Sequence, residues 1–109
     1  MTVYVDDMRA RFGRMIMCHM FSPNLDELHA MATRLGLRRW FQNPETMPKV
    51  SWPHYDISLS KKAEAIRYGA VAVNKYQMLV MANHILGKEQ RHIGMPEIDS
   101  ALEWLKTQI

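Results

Sequence analysis

A chain of 109 residues, 48% hydrophobic and 23% charged, is long enough for one compact core and too short for two, and its balance excludes wholesale disorder. The net charge of +3 and pI near 9.2 are mildly basic, compatible with a nucleotide or nucleic-acid partner without requiring one. No run approaches the ~18 consecutive apolar residues of a membrane span, and the single Cys18 has no partner for an internal disulfide, so the chain reads as cytoplasmic and free of the membrane.

Residues 2–6 are β-branched and aromatic and predict a strand, which meets Asp6 and Asp7 too early in the chain for a signal peptide. Residues 8–14, with three arginines and Gly13, read as a loop. Residues 15–21 predict a second strand that is apolar on both faces, with Met15, Met17, His19 and Phe21 on one and Ile16, Cys18 and Met20 on the other. That pattern fits a central strand covered on both sides. Of the ten methionines, Met8, Met15, Met17, Met20 and Met31 crowd the first third, where flexible thioethers can fill an irregular core.

Ser22-Pro23-Asn24 ahead of Leu25-Asp26-Glu27 supplies a cap, a first-turn proline and early carboxylates, so a helix is predicted over residues 23–35, closed by Gly36. Leu25, Leu28, Ala32 and Leu35 follow its apolar spacing. Residues 38–42 suggest a short strand, and residues 43–53, with three prolines, a loop. Ser60 or Ser58 caps a second helix that ends at Gly69, with Leu59, Ala63 and Ile66 expected on its core side. Residues 70–73 fit a buried strand, residues 76–86 a buried helix with Leu79, Ala82, Ile85 and Leu86 inward, and Pro96 opens a last amphipathic helix. The expected fold is therefore a small single-domain α/β or α+β sandwich, with a sheet of three to four strands, about four helices, and residues 74–109 as a helical extension packed on the core.

The stretch from His54 to Lys62 concentrates the chemistry. A helix N-terminus carries about +0.5 of an elementary charge, so Lys61 and Lys62 in a first turn oppose the dipole unless an anion sits among them. Backbone N–H groups with Ser58, Ser60 and Lys61 could hold a phosphate. His54 and Asp56 share strand parity, and a His-x-Asp pair can ligate a divalent metal or serve acid–base chemistry. Asp6 and Asp7 close the first strand, a place where α/β proteins put ligand groups. His19, embedded in an apolar strand, needs an acidic partner, and Asp6, Asp7 or Asp56 could supply it.

These residues form one composite expectation: Asp7, His19, His54 and Asp56 as catalytic groups, and Asp6, Asp7, His54 and Asp56 as ligands of a divalent metal. Their convergence within a few ångströms is the condition the fold must meet. A separate expectation places Arg9, Arg11, Arg38, Arg39 and Trp40 on a basic, aromatic face for nucleic acid, with Trp52 as a further stacking residue. Against both stand ordinary readings: a solvated turn carboxylate, a core histidine, lysines pointing into water. No phosphate loop, dinucleotide fingerprint, CxxC pair, HExxH or GxSxG is present, and Cys18 in its apolar setting is a poor nucleophile.

Three blocks carry a resemblance: Val3-Tyr4-Val5-Asp6-Asp7; Met17-Cys18-His19-Met20 with Asp26-Glu27-Leu28; and Arg39-Trp40-Phe41 followed by His54-Tyr55-Asp56-Ile57-Ser58 and Gly69-Ala70-Val71. Together, over residues 3–73, the chain resembles a small bacterial and phage domain family described only as a domain of unknown function. The resemblance implies a cytosolic bacterial or phage protein and brings no activity, cofactor or catalytic residue. The expected function is binding of a phosphate-bearing ligand, a nucleotide or nucleic acid, with metal-assisted phosphoester hydrolysis as its catalytic form. The alternatives are a non-catalytic nucleic-acid-binding module and an interaction protein that forms a homodimer.

Overall fold

The computed structural model describes residues 2–109. Its elements are β1 (Tyr4–Val5), β2 (Ala10–Phe12), β3 (Met15–Phe21), α1 (Leu25–Arg34), β4 (Tyr55–Ser58), α2 (Leu59–Arg67), β5 (Val71–Ala72), α3 (Lys75–Leu86) and α4 (Pro96–Gln108). They make a small α+β domain, a mixed sheet of five strand segments with four helices.

The sheet is organised around β3. One edge of β3 pairs antiparallel with β4, from Met17 opposite Ser58 to Met20 opposite Tyr55. The other edge carries two consecutive segments: β1 opposite Met20 and Phe21, and β2 opposite residues 15–17. β1 continues outward to a parallel β5. Between β1 and β2 the chain bulges: Val5 faces Met20 and Ala10 faces Met17, so four residues of one strand span two of the other. The expected arginine-rich loop over residues 8–14 is thus a hairpin arm. Its two-residue turn, Gly13-Arg14, puts Gly13 at φ +61°, which glycine adopts without steric cost.

Alternation along the strands divides the core in two. On one face Val5, Cys18, Met20, Tyr55 and Ile57 pack with Leu28 and Ala32 of α1 and Ala65 of α2. On the other Tyr4 and Phe21 pack with Val80 and Met81 of α3 and Ile98, Ala101 and Leu105 of α4. The last two helices therefore form the third layer.

Several local expectations change. Residues 38–42 are not a strand: Arg38–Trp40 is a 3₁₀ turn, followed by a single bridge between Gln42 and His54. In α2 the buried residue is Ala65, whereas Ala63 and Ile66 are exposed, because the helix meets the sheet along a narrower line than its apolar residues suggest. Leu25 and Leu79 likewise face solvent, and α3 buries Val80 and Met81 instead. β5 is an edge strand whose Val71 and Ala72 are exposed; the buried residues are its neighbours Ala70 and Val73. Among the described residues no helix is long and apolar enough to cross a membrane.

Candidate metal centre

Register brings the candidate residues together. Asp6 donates its backbone N–H to the His19 carbonyl at 3.1 Å on one edge of β3, and Asp56 is the Cα partner of His19 on the other. Asp6, His19 and Asp56 thus occupy one row across three strands. His54 lies two residues before Asp56 and on the same face. A hydrogen-bonding ligand atom from each of His19, His54 and Asp56 lies within 4.8 Å of the others. The convergence required by the sequence reading is met for these three.

Each imidazole is held through Nδ1. His19 Nδ1 bonds Asp6 Oδ2 at 2.6 Å, and His54 Nδ1 donates to the Trp52 carbonyl at 2.8 Å. A carbonyl can only accept, so His54 Nδ1 carries the proton. Asp6 accepts as an ionised carboxylate: burial would raise its pKa, but the His19 side chain and the backbone N–H groups of His19 and Met8 outweigh that and hold it below the ordinary carboxylate value. Each ring is therefore oriented through Nδ1, which leaves Nε2 as the nitrogen that can turn to a metal once it gives up any proton it holds. His54 Nε2 stands 3.4 Å from Asp56 Oδ1, and an N–H donated across this contact leads the effects that keep the Asp56 carboxyl low against partial burial.

Asp6 is completely buried and fully satisfied, with Oδ1 taking N–H bonds from Met8 at 3.2 Å and His19 at 2.9 Å. It does not reach the converging group itself. Histidine ligands of metals almost always donate their second nitrogen to a carboxylate or a carbonyl, which fixes the ring and raises its basicity. His19 has the carboxylate and His54 the carbonyl.

Trp52 roofs the group. Its ring stacks on His54 at 4.6 Å and 19°, and meets His19 edge-on at 5.4 Å. It also abuts Phe21 at 5.3 Å, so the apolar layer under α3 and α4 runs directly into one wall of the site. The sequence alone suggests for Trp52 either base stacking or a lid over the core, and not a wall of this site. Its adjacency to Pro53-His54 is the signal for that role.

The remaining candidates fall elsewhere. Asp7 is exposed and outside the converging group, because the bulge turns Asp6 toward His19 and Asp7 away. Ser58, not Ser60, caps α2, its Oγ accepting from Lys61 N–H at 3.3 Å and lying 3.1 Å from Ser60 Oγ. The lysines at that helix start have protein partners: Lys61 pairs with Glu64 at 3.2 Å, and Lys62 Nζ donates to the Asp6 carbonyl at 2.8 Å. An anion is not needed to explain them. Ser58 still shares the face of His54 and Asp56, one step further along β4.

Arg9 and Arg11 are exposed on the bulge and the hairpin arm. Arg38, Arg39 and Trp40 are exposed in a 3₁₀ turn by the α1 layer, with Arg38 5.9 Å from the Phe41 ring and Arg39 5.0 Å from Trp40. There His29 Nδ1 and Tyr55 Oη share a 2.7 Å hydrogen bond, and burial followed by the Arg38 charge depresses the His29 pKa. Cys18 is buried, which together with Asp6 pushes its thiol to about 11 and leaves it a poor nucleophile.

A cleft of about 280 Å³ lies apart from all this, walled by Glu27, Met31, Arg34 and Tyr68 among others. Arg34 stacks on Tyr68 at 3.7 Å there, and Glu27 keeps a buried Oε2 with no hydrogen-bond partner among the described residues. No second group of metal-ligating side chains accompanies it among those residues.

Fold and site together define a small α+β domain that presents two oriented histidines and a carboxylate on one face of its sheet. The chain matches, over residues 3–84, the family described as protein of unknown function DUF4031, and it belongs to that family. The match runs past residue 73 into α3, so the family domain includes part of the third layer. No curated protein and no solved structure matches the chain.

Proposed function

We propose that the protein binds one divalent metal ion through His19 Nε2, His54 Nε2 and the Asp56 carboxylate, and uses it to hydrolyse a phosphoester. The observation that carries the reading is that both histidines are held through Nδ1 while His54 Nε2 faces Asp56 at 3.4 Å and a ligand atom of each of the three residues lies within 4.8 Å of the others. Two imidazoles and one carboxylate suit zinc, manganese or ferrous iron. Such ions stand about 2 Å from their ligands, so atoms this close need only a small side-chain turn to close on one. Three protein ligands leave a coordination position open, as catalytic sites do.

A divalent ion in such a site supplies acidified water and neutralises charge on a phosphoryl group. The chain's own residues do the rest. Asp6 holds His19 Nδ1 so that Nε2 is the atom left for a metal, Trp52 excludes water from one side, and Ser58 follows Asp56 on the same face of β4, where its hydroxyl would meet a phosphate oxygen of the substrate. The test is hydrolysis of bis(p-nitrophenyl) phosphate with zinc, manganese or magnesium added after chelation. Activity should return with a metal and disappear in His54→Ala; activity that survives chelation, or that His54→Ala retains, defeats the reading.

A further inference from the structure

The β2–β3 hairpin is an arm. β4 ends at Ser58 opposite Met17, so beyond that row residues 11–12 and 15–16 continue as a two-stranded ribbon with no third strand among the described residues. The outer edge of β2 has no strand partner among the described residues. Phe12, at the tip, is 72% exposed and faces Met15, itself 48% exposed. Residues 8–25 hold three arginines, Arg9, Arg11 and Arg14, and no aspartate or glutamate. All three are exposed, and none is in an ion pair among the described residues. Charges on an unpaired edge discourage edge-to-edge association, but a bare phenyl ring at the tip works against that purpose.

The face of the arm is also the face of the site. Phe12 is opposite Met15, so the ring and the thioether project together, and Met15, Met17 and His19 follow on alternate residues of β3. At ~3.3 Å per residue the path from Met15 to His19 is about 13 Å. Arg11 lies on the reverse of the ribbon and Arg9 beside it on the bulge, so a chain draped over the open edge meets an aromatic ring on one side and a cation on the other. Aromatic stacking with backbone neutralisation is how proteins hold single strands without reading sequence. A duplex, whose bases are stacked inside, would leave Phe12 without a partner.

We infer that the substrate is single-stranded nucleic acid and that the hairpin arm grips it, with Phe12 stacking a base, Arg9, Arg11 and Arg14 neutralising phosphates, and the strand running along β3 to His19, His54 and Asp56. The cleavage step rests on the metal-centre reading; the grip does not.

The test is fluorescence anisotropy of a short labelled oligodeoxynucleotide, and of the same sequence in RNA, with the full chain in EDTA. Binding should weaken with salt at a logarithmic slope of about −0.7 per phosphate contact, and Arg11→Ala and Arg14→Ala should each make the slope shallower by about that amount. Phe12→Ala should weaken binding roughly 5- to 150-fold, the worth of one stacked base, with the melting temperature and the metal stoichiometry unchanged. The DNA and RNA arms show which sugar is preferred, and tight binding of either supports the grip. Binding without salt dependence, hairpin variants that bind like the parent, or a dimer in light scattering that Phe12→Ala dissociates would each overturn it. A chain that takes up metal but no oligonucleotide loses this inference alone. A chain that holds oligonucleotide but no metal loses the metal-centre reading alone.

Discussion

Asp6 acts on the candidate centre only through His19. Replacing it with asparagine keeps two acceptor contacts at Oδ1 but turns an amide donor toward His19 Nδ1. The imidazole must then accept at Nδ1 and carry its proton at Nε2, where a metal needs the lone pair. Asp6→Asn should therefore weaken metal affinity about 10- to 100-fold, the usual cost of losing such a partner, while circular dichroism still reports the folded domain. The same variant should resist acid differently. The native Asp6 carboxyl is held below its ordinary value, so its stabilisation is fully present above an unfolded value of ~3.9 and is lost as pH falls through the lower folded value. Asp6→Asn should lose less stability than the parent in that acid window, measured by urea unfolding at stepped pH. The need of His19 for an acidic partner is legible in the sequence, because an imidazole inside an apolar strand must bond to something. Which aspartate supplies it is not legible, since two extra residues in the bulge decide that Asp6 turns inward and Asp7 outward.

Among elements, α2 shows how a local anomaly can have a tertiary cause. Two lysines in a first turn look like an anion site, yet one is answered by Glu64 and the other by the carbonyl of Asp6, 56 positions away in the chain. The cap is Ser58, so Ser58→Ala should cost about 1 kcal/mol in thermal or urea unfolding, whereas Ser60→Ala should stay within about 0.5 kcal/mol; equal losses would contradict this assignment. α1 is legible as a helix, with its early carboxylates where the dipole wants them, but it starts at Leu25 rather than Pro23: Asn24 is the cap, its side chain accepting from Glu27 N–H, and Pro23 lies before the helix instead of in its first turn. The hairpin arm is not. Its arginines and glycine are loop residues by composition, and only pairing with β3 makes them a strand. The 3₁₀ turn at Arg38–Trp40 is the converse, aromatic residues that suggest a strand but lie outside the sheet.

At the scale of the whole molecule, the two helical layers are unequal. α1 and α2 cover one sheet face beneath Val5, Cys18, Met20 and Ile57. α3 and α4 cover the other only around Tyr4 and Phe21, where Tyr4 Oη also bonds Gln108 at 2.7 Å. The next row, Asp6, His19 and Asp56, lies past those helices beside Trp52, with Asp6 buried and Asp56 open to solvent, and polar residues collect there. The two apolar faces of β3 make this three-layer arrangement readable from sequence, whereas the antiparallel and parallel pairings that align the row depend on contacts far apart in the chain. The central claim is that this row holds a metal. Isothermal titration of zinc or manganese into the chelator-treated chain tests it most directly. One ion per chain is expected, with His54→Ala and Asp56→Ala each abolishing the heat while leaving the fold intact. No saturable heat with the parent chain, or the same isotherm in both variants, would contradict it.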